Sequence, residues 1–400
     1  MDRVAPAPPR LRLRRWQLPA ALVLWVAALA VGVQAFVVSL RRSLPDRLVD
    51  LHVYTAAVSS FVHRGSLYGL HGSLRAGFTY PPFAGLVFLP LAYVPEQAGR
   101  IAWTAFTMLA VAAIALVVVR ALPRRLGPVA VVWPALTALL VASKPLQSNL
   151  RFGQVSVFLT LGIVIDVIVL DGRRWQGVLT GLCAAIKLTP LVFVPYLLLT
   201  GRRRAAALAA GCFGLATAAG FAILPHDSAA FWTRYLWRES QGLPLAEGGN
   251  QSIYAVLLRA GMQGAGLEIL WLGLAAAVGV VGVWRGQRAR AAGQPLLGLA
   301  MVGCVSILVS PISWTHHQTW ILLAAAGVFT ANPSLDVAIA SALVLPMLIG
   351  LPGVSFFGPV GRWLAANSRA VLAAAIASAL PFRKPVEQRP RVEELARIDH

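Results

Sequence analysis

The sequence has few charged residues. Asp, Glu, Lys and Arg make up 12% of its 400 residues, whereas 58% are hydrophobic. A soluble domain carries roughly 25% charged residues, so this chain cannot cover its surface with polar groups in water. Its apolar runs of about 15 to 23 residues approach the roughly 20 that span a bilayer as a helix, and the alternating pattern of a spanning barrel is missing. We therefore predict an all-α polytopic membrane protein.

Cysteine is also scarce, with three residues in the chain. Cys183, Cys212 and Cys304 all lie inside apolar runs, and no two have the C-x-x-C spacing of a zinc or redox site. A disulfide framework is therefore not expected. An H-E-x-x-H motif, a phosphate-binding glycine-rich loop and a Ser-His-Asp order are missing as well, so neither a metal nor a cofactor is predicted.

Acidic residues are outnumbered, because 15 Asp and Glu stand against 35 Lys and Arg, for a net charge of +20. In a soluble protein this excess would favour nucleic-acid binding. Here no basic stretch is interleaved with stacking aromatics, so nucleic acid is not an expected partner. Basic residues instead collect in loops, as in the positive-inside rule. The clusters assigned to the cytoplasm are residues 10–15, 173–174, 202–204, 285–290 and the tail from Arg383.

Thirteen apolar runs are candidate spans. Thirteen full crossings would leave the basic C-terminus outside, so one run does not cross: either 82–95, which is short and bounded by prolines, or one of the short pair around Lys187. We predict 11 to 13 crossings with both termini cytoplasmic, a single membrane domain over 1–382 and a charged, disordered tail over 383–400. The runs are 18–40, 82–95, 98–119, 128–143, 155–170, 176–187, 189–200, 205–224, 267–284, 296–311, 316–331, 335–350 and 367–382.

The two longest polar segments, 41–80 and 225–252, fall on the side opposite the basic clusters. Asp50 lies in the first of them, in the pattern V-D-L-H-V-Y. This pattern predicts an amphipathic helix at the membrane interface, with Asp50 and Tyr54 on one face by their i, i+4 spacing and His52 on another. Tyr54 and His52 are candidate substrate contacts. A partly buried carboxylate has a raised pKa and can act as a base. The alternative is a solvated loop aspartate.

A lysine and two histidines offer positive charge or hydrogen bonds on the same side. Lys187 lies in the run A-A-I-K-L-T-P-L, where Pro190 ends the helix. It is either a phosphate ligand or a lysine whose ammonium group reaches the interface. His316 and His317 follow Trp314, which is also a candidate substrate contact, in S-P-I-S-W-T-H-H. Adjacent residues on a helix point in different directions, so either one of them binds an anionic substrate or both are interfacial residues beside tryptophans.

Five further residues are weaker candidates for substrate contacts. Tyr80 precedes two prolines that fix an extended entry into the next apolar run. Arg151 and Gln154 open a span in the motif L-R-F-G-Q-V, and Asn250 and Gln251 lie in the motif G-G-N-Q-S. Each is weak alone, but all are expected on the same membrane face as the carboxylate and the lysine.

A single candidate carboxylate, accompanied by cations and amides, limits the classes of reaction that the site could catalyse. Glycoside hydrolysis normally needs a second carboxylate as acid. Sugar transfer from a lipid phosphate does not, because phosphate leaves as a stabilised anion, one base removes the acceptor's proton and cations steady the phosphate. Such an in-line displacement would invert the anomeric centre. A transporter would instead carry ionisable residues at mid-membrane in paired halves, and Asp166 is the nearest to that description.

Seven short motifs, taken in order, resemble those of one known family: D-L-H-V-Y, G-S-L-Y, F-T-Y-P-P-F-A, F-G-Q-V, K-L-T-P, N-Q-S and S-P-I-S-W-T-H-H. They run from about residue 48 to 320, roughly two-thirds of the chain. By these motifs the chain resembles the actinobacterial polyprenol-phosphate-mannose-dependent α-(1→2)-mannosyltransferases, a branch of the GT-C superfamily.

The resemblance implies a GT-C glycosyltransferase fold with interfacial helices after the first span, acting on the periplasmic face of the plasma membrane. It implies polyprenyl-phospho-mannose as donor, a glycolipid or lipoglycan as acceptor, and no required metal. It makes Asp50 the catalytic carboxylate, assigns Lys187 to the donor phosphate, and brings His316 or His317 to the site. Transfer of another polyprenyl-phosphate-linked sugar is the alternative within this class, and a lipid or sugar transporter is the alternative outside it.

Overall fold

The computed structural model describes residues 16–41, 48–69, 77–123, 126–236, 244–329, 333–349 and 358–382. The first basic cluster and the tail 383–400 lie outside them. All regular elements of the described residues are helical. The α-helices in chain order are α1 Gln17–Leu40, α2 Val49–Arg64, α3 Pro82–Phe88, α4 Glu96–Ala121, α5 Val129–Ala142, α6 Lys144–Phe152, α7 Ser156–Val164, α8 Val178–Ile186, α9 Phe193–Leu199, α10 Arg203–Ile223, α11 Pro225–Ala230, α12 Ile253–Arg259, α13 Gly264–Ala291, α14 Pro295–Val309, α15 Thr319–Gly327, α16 Pro333–Leu348 and α17 Gly358–Ser378.

Each of the thirteen apolar runs contains helix among its described residues. Among the described helices, α1, α4, α10 and α13 are long and apolar enough to cross a membrane, and the pair α5 and α6, bent by 65°, makes up to five if it is one span. Five shorter apolar helices accompany them. The protein is therefore an all-α polytopic membrane protein, as predicted, while the number of 11 to 13 crossings stays a prediction.

Helix α14 lies at the centre of the bundle. Its residues from Leu296 to Leu308 are all buried, and it packs against α13, α15 and α17. The close approach depends on glycines, because a Cβ at Gly298 would clash with the Gly286 carbonyl oxygen of α13, and one at Gly303 would clash with the Trp320 ring. Lipid gives no hydrophobic drive for helices to associate, so such small-residue contacts stabilise their packing.

Three loops that the charge pattern assigns to the cytoplasm meet at one end of the molecule. Asp171, in the turn before α8, forms ion pairs with Arg202, at 2.6 Å, and with Arg290 near the end of α13. Burial alone would raise the pKa of the Asp171 carboxyl, but the hydrogen bonds and charges of the two arginines lower it. The common location of these loops agrees with their assignment to one side.

Asp166, the acid nearest to a transporter-like position, has a structural role. Its carboxylate accepts hydrogen bonds from the backbone N–H of Gly177, at 2.9 and 3.0 Å, and from the Thr180 hydroxyl at 2.6 Å. These bonds tie the π-helical extension of α7, Ile165–Val169, to the start of α8. The carboxylate is buried but fully engaged, which removes it as a candidate for substrate or ion transport.

Candidate active site

A cavity of about 980 Å³ lies at the other end of α7, bordered by α2, α12, α13 and the segments 187–192 and 309–317. Its lining joins side chains that are far apart in the sequence. The polar and aromatic lining comprises Asp50, Tyr54, Thr79, Tyr80, Gln154, Lys187, Thr189, Phe231, Tyr254, Glu268, Trp271, Ser310, Trp314 and His317. The apolar lining comprises Val53, Pro81, Leu188, Leu191, Val192, Leu236, Leu272, Val305, Val309, Pro311 and Ile312, with Gly77 and Gly279.

Asp50 lies in the first turn of α2, the helix that the sequence predicts after the first span. The dipole of the helix favours a negative charge at this end. The helix starts after Leu48, which has a left-handed conformation with φ 43° and ψ 47° and a fully buried side chain. It is the one non-glycine residue with positive φ in the described residues. Holding a bulky residue there costs of order 1–3 kcal/mol, so the packing around Leu48 fixes where α2 begins and where Asp50 points.

Gln154 connects Asp50 to two tyrosines. Its Nε2 donates to Asp50 Oδ2 at 2.7 Å. Its Oε1 accepts hydrogen bonds from the hydroxyls of Tyr54 at 3.1 Å, Tyr80 at 3.2 Å and Ser156 at 3.4 Å. Because hydroxyl donors occupy the amide oxygen, the amide NH₂ is directed at the carboxylate. No described residue hydrogen-bonds the second carboxylate oxygen, Oδ1, so it is available to a ligand in the cavity.

Gly153 permits the contact between Gln154 and Asp50. It ends α6 in the left-handed conformation, with φ 68° and ψ 39°, which glycine adopts readily. A Cβ at this position would lie 2.8 Å from Leu51 Cβ and 3.4 Å from Leu48 Cβ, closer than side chains normally pack. The bare backbone of Gly153 thus lets the following residue, Gln154, approach the first turn of α2.

Lys187 follows α8 in an extended conformation, just before the 3₁₀ turn Thr189–Val192 that contains Pro190. Its Nζ lies 2.8 Å from His317 Nε2 and 5.3 Å from the centroid of the Tyr80 ring. A lysine ammonium group only donates, so His317 Nε2 accepts and the imidazole carries its proton on Nδ1. The lysine lies at a helix end, as predicted, between an imidazole and an aromatic ring.

Burial sets the protonation of these groups. It raises the pKa of the Asp50 carboxyl to about 6, although the Gln154 hydrogen bond and the charge of Lys187 both lower it. The pKa of His317 falls well below its ordinary value because of burial, the charge of Lys187 and the neighbouring His316. At neutral pH the cavity therefore combines an ionised carboxylate with a lysine and a neutral imidazole.

The two adjacent histidines have different surroundings. Both lie on the 3₁₀ turn Thr315–His317, and their rings meet edge-on with 4.5 Å between centroids. His317 lines the cavity, as does Trp314. His316 is buried against α6, with its Nδ1 3.4 Å from the Ser148 hydroxyl. Of the two histidines that the sequence leaves open, His317 is the one that a substrate in the cavity would meet.

Two predicted substrate contacts lie outside the cavity. His52 is exposed on another face of α2 and lines a small cleft with Glu96 and Arg100. Arg151 is exposed, and its guanidinium group stacks on the Phe152 ring at 4.8 Å. Neither residue lines the cavity that holds Asp50, so the structure does not bring them to the candidate site, and their contact with substrate stays a prediction.

Asn250 and Gln251 also have structural roles. The Asn250 amide donates to the Pro311 carbonyl at 3.1 Å and accepts from the Ser313 N–H at 2.8 Å. The Gln251 amide donates to and accepts from the backbone of α17, at 2.7 and 2.8 Å. Both side chains are buried. They hold the cavity-lining segment 310–314 in place and do not face the cavity themselves.

Glu268 is a cavity residue that the sequence reading missed. It lies in the second turn of α13, inside the apolar run 267–284, and shares the lining with Tyr254 and Trp271. An acidic residue inside an apolar run indicates a functional site in membrane proteins. This pattern alone could have identified Glu268 as a candidate.

Asp227, an acidic residue of the polar segment 225–252, has a structural role. Its carboxylate accepts hydrogen bonds from the Ser66 hydroxyl and the Leu67 N–H, both at 2.8 Å. These bonds attach the turn after α2, in the motif G-S-L-Y, to helix α11. Asp227 thereby steadies the C-terminal end of the helix that carries Asp50 at its other end.

Known proteins are similar in sequence to this chain. Residues 78–311 match glycosyltransferase family 87. A Mycobacterium tuberculosis protein named polyprenol-phosphate-mannose-dependent alpha-(1-2)-phosphatidylinositol mannoside mannosyltransferase is 31% identical over 318 residues, which cover 75% of this chain and 74% of that protein. Its namesake in Mycolicibacterium smegmatis is 30% identical over 284 residues, 64% of this chain and 63% of that protein.

A second Mycobacterium tuberculosis protein, named as the corresponding phosphatidylinositol pentamannoside mannosyltransferase, is 32% identical over 290 residues, 68% of this chain and 64% of that protein. No solved structure matches the chain. The family match includes Tyr80, Gln154 and Lys187, and it covers more than half of the sequence. This multi-pass membrane protein is an enzyme that belongs to glycosyltransferase family 87.

Proposed function

We propose that the protein transfers mannose from polyprenol-phosphate-mannose to a glycolipid of the phosphatidylinositol mannoside type, forming an α-(1→2) linkage on the extracytoplasmic face. One observation carries the proposal: Asp50, with Oδ1 available, and Lys187, paired with His317, line the same cavity. The names of the relatives supply the sugar, the carrier and the class of acceptor.

The lining of the cavity supports a lipid-phosphate donor. Lys187 offers a positive charge for the phosphate. Leu191, Leu272, Val305 and Val309 need no polar partner, so they are suited to an isoprenoid chain. The volume of about 980 Å³ is at the upper end of the roughly 300–1,000 Å³ of small-molecule sites, which leaves room for a sugar phosphate and an acceptor sugar together.

The chemistry needs one base. An acceptor hydroxyl attacks the anomeric carbon of mannose while Oδ1 of Asp50 takes its proton. The bond between that carbon and the phosphate oxygen breaks, and polyprenyl phosphate leaves with its charge balanced by Lys187. Attack on the face opposite the leaving group inverts the anomeric centre. The Gln154 N–H donated to Oδ2 keeps the carboxylate ionised and directs the other oxygen to the acceptor.

The distribution of basic residues bears on which side of the membrane the cavity faces. Asp50, Lys187 and His317 lie at the end of the bundle away from the ion pairs of Asp171 with Arg202 and Arg290, because α7 and its extension separate Gln154 from Asp171. Loops rich in lysine and arginine face the cytoplasm. This arrangement supports the proposed position of the cavity on the extracytoplasmic side.

The purified protein, incubated with radiolabelled polyprenol-phosphate-mannose and a phosphatidylinositol mannoside, is expected to yield a glycolipid with one more mannose. Methylation of the product should give a 2-linked mannose. Asp50→Asn is expected to lower the rate at least about a hundredfold, since a general base contributes roughly 10²–10⁴. His52→Gln, two residues away on the same helix and outside the cavity, should keep wild-type activity.

The outcomes separate the candidate functions. Transfer from polyprenol-phosphate-glucose but not from the mannose donor would replace the sugar and keep the class of reaction. Movement of the glycolipid across a vesicle membrane without any new glycosidic bond would support a transporter instead. An Asp50→Asn protein that folds and retains turnover would contradict the assignment of the base.

A further inference from the structure

The lining of the cavity contains a second carboxylate, that of Glu268. The Tyr254 hydroxyl donates a hydrogen bond to Glu268 Oε1 at 2.9 Å. The Tyr254 ring meets the Trp271 ring edge-on, with 5.4 Å between centroids. All three residues line the cavity, and none of them takes part in the transfer step proposed for Asp50.

This group, here called the Tyr254 cluster (Tyr254, Glu268 and Trp271), combines two helices. Glu268 and Trp271 are three residues apart on α13 and therefore share a face of the helix. Tyr254 projects from α12, whose N-cap Ser252 donates its hydroxyl to the Pro311 carbonyl at 2.9 Å. That bond ties the start of α12 to the segment 310–314, which leads directly to His317. The Tyr254 cluster is thus attached to the segment that leads to His317, the residue that contacts Lys187.

The charge of the Tyr254 cluster selects its ligand. A phosphate is unfavourable beside Glu268, because two negative charges repel, whereas Lys187 offers the opposite charge elsewhere in the cavity. An isoprenoid chain gains nothing from a carboxylate and a hydroxyl. A sugar offers hydroxyl groups that donate to a carboxylate and apolar C–H faces that pack on aromatic rings. No described residue hydrogen-bonds Glu268 Oε2, so one charge-assisted bond is available to a ligand.

We propose that the Tyr254 cluster binds the terminal sugar of the acceptor glycolipid and holds its attacking hydroxyl in the cavity toward Asp50. The donor sugar is bonded directly to the phosphate and so stays close to Lys187, which leaves the second polar region of the cavity to the acceptor. The inference rests on the proposed transferase function and identifies the site that this function needs for its second substrate.

The test measures the two substrates separately. With a phosphatidylinositol mannoside as acceptor, Glu268→Gln and Tyr254→Phe are expected to raise the acceptor KM, by roughly tenfold to a hundredfold for loss of a charge-assisted bond at Glu268. The KM for polyprenol-phosphate-mannose and the rate at saturating acceptor should stay within about twofold of wild type. Methyl α-mannoside, an acceptor without a lipid, should show the same loss, because the proposed contact is with the sugar.

Glu247→Gln is the matched control. Glu247 is an exposed carboxylate of the same side whose side chain does not line the cavity, so its substitution should change neither KM. Folding of each variant is checked by its thermal unfolding and its elution from size exclusion in detergent.

Three results would overturn the proposal. An unchanged acceptor KM in both folded variants would show that the Tyr254 cluster does not bind the acceptor. A raised donor KM would assign it to the donor sugar. Loss of turnover at saturating acceptor in Glu268→Gln would make Glu268 part of the chemistry. A wild-type protein that does not transfer mannose at all would instead refute the proposed function, so the two failures are distinguishable.

Discussion

The pH dependence of transfer tests whether Asp50 is the base. Burial raises the pKa of this carboxyl from 3.8 to about 6. A base acts in its ionised form, so activity should rise with pH along a limb centred near 6 and level off above it. At pH values well below this pKa, the rate should fall tenfold for each pH unit. Substituting Gln154 by methionine removes the N–H donor that lowers this pKa, so the limb should move to higher pH.

The size of both effects follows from the structure. A group with a pKa near 6 is about 91% ionised at pH 7 and about 9% ionised at pH 5, so the rate should drop about tenfold between them. An aspartate with its ordinary pKa of 3.8 would lose less than about 10% over the same range. The hydrogen bond from Gln154 to the charged carboxylate is worth roughly 1.5–3 kcal/mol. At 1.36 kcal/mol per pKa unit, its loss should move the limb upward by about one to two units.

The measurement is the initial rate of mannose transfer between pH 4.5 and 9 with both substrates saturating. The control is Gln97→Met, which changes the same residue type at an exposed position outside the cavity on α4. A wild-type rate that is flat down to pH 5, or a limb that moves to lower pH in Gln154→Met, would refute the reasoning. An unshifted limb in the variant would show that another group titrates.

Three further predictions follow from the same geometry. Lys187→Gln should raise the KM for polyprenol-phosphate-mannose at least about tenfold, as expected for loss of a charged hydrogen bond to phosphate. An unchanged donor KM with a raised acceptor KM would contradict this role. His317→Ala should raise the donor KM through loss of the Lys187 contact, whereas His316→Ala should lower thermal stability and leave the donor KM near wild type; the reverse pattern would exchange their roles. Gly153→Ala should destabilise the protein more than Gly172→Ala, because both glycines have φ near 70° but a Cβ at 172 meets nothing within 4 Å; equal melting temperatures would show that the contact with α2 is not tight.

Local features of the site could be predicted from the sequence. The helix that carries Asp50 follows from the spacing of apolar residues in V-D-L-H-V-Y, and the end of α8 at Lys187 follows from Pro190. Both depend on interactions within a few residues of the chain, such as the proline that cannot continue a helix. The same spacing correctly separates His52 from Asp50, since residues two apart on a helix lie on different faces.

The roles of the amides could not be read in this way. In the sequence Gln154 and Asn250 look alike, because each is an amide side chain in a short motif. In the structure Gln154 meets a carboxylate 104 positions away along the chain, whereas Asn250 meets the backbone of the segment that precedes His317. An amide serves either purpose equally well, so only the tertiary arrangement decides which partners it finds.

The pKa of Asp50 shows why the arrangement matters for the chemistry. A carboxylate that accepted several strong hydrogen bonds would have a low pKa and would take a proton poorly. One with no donor at all, buried to the same degree, would be protonated at neutral pH and would be no base. Here burial raises the pKa, while Gln154 on Oδ2 and the charge of Lys187 lower it, and the balance lies near 6 with Oδ1 available. That balance needs α2, the turn at Gly153 and the end of α8 together, so a carboxyl with this pKa exists only in the folded protein.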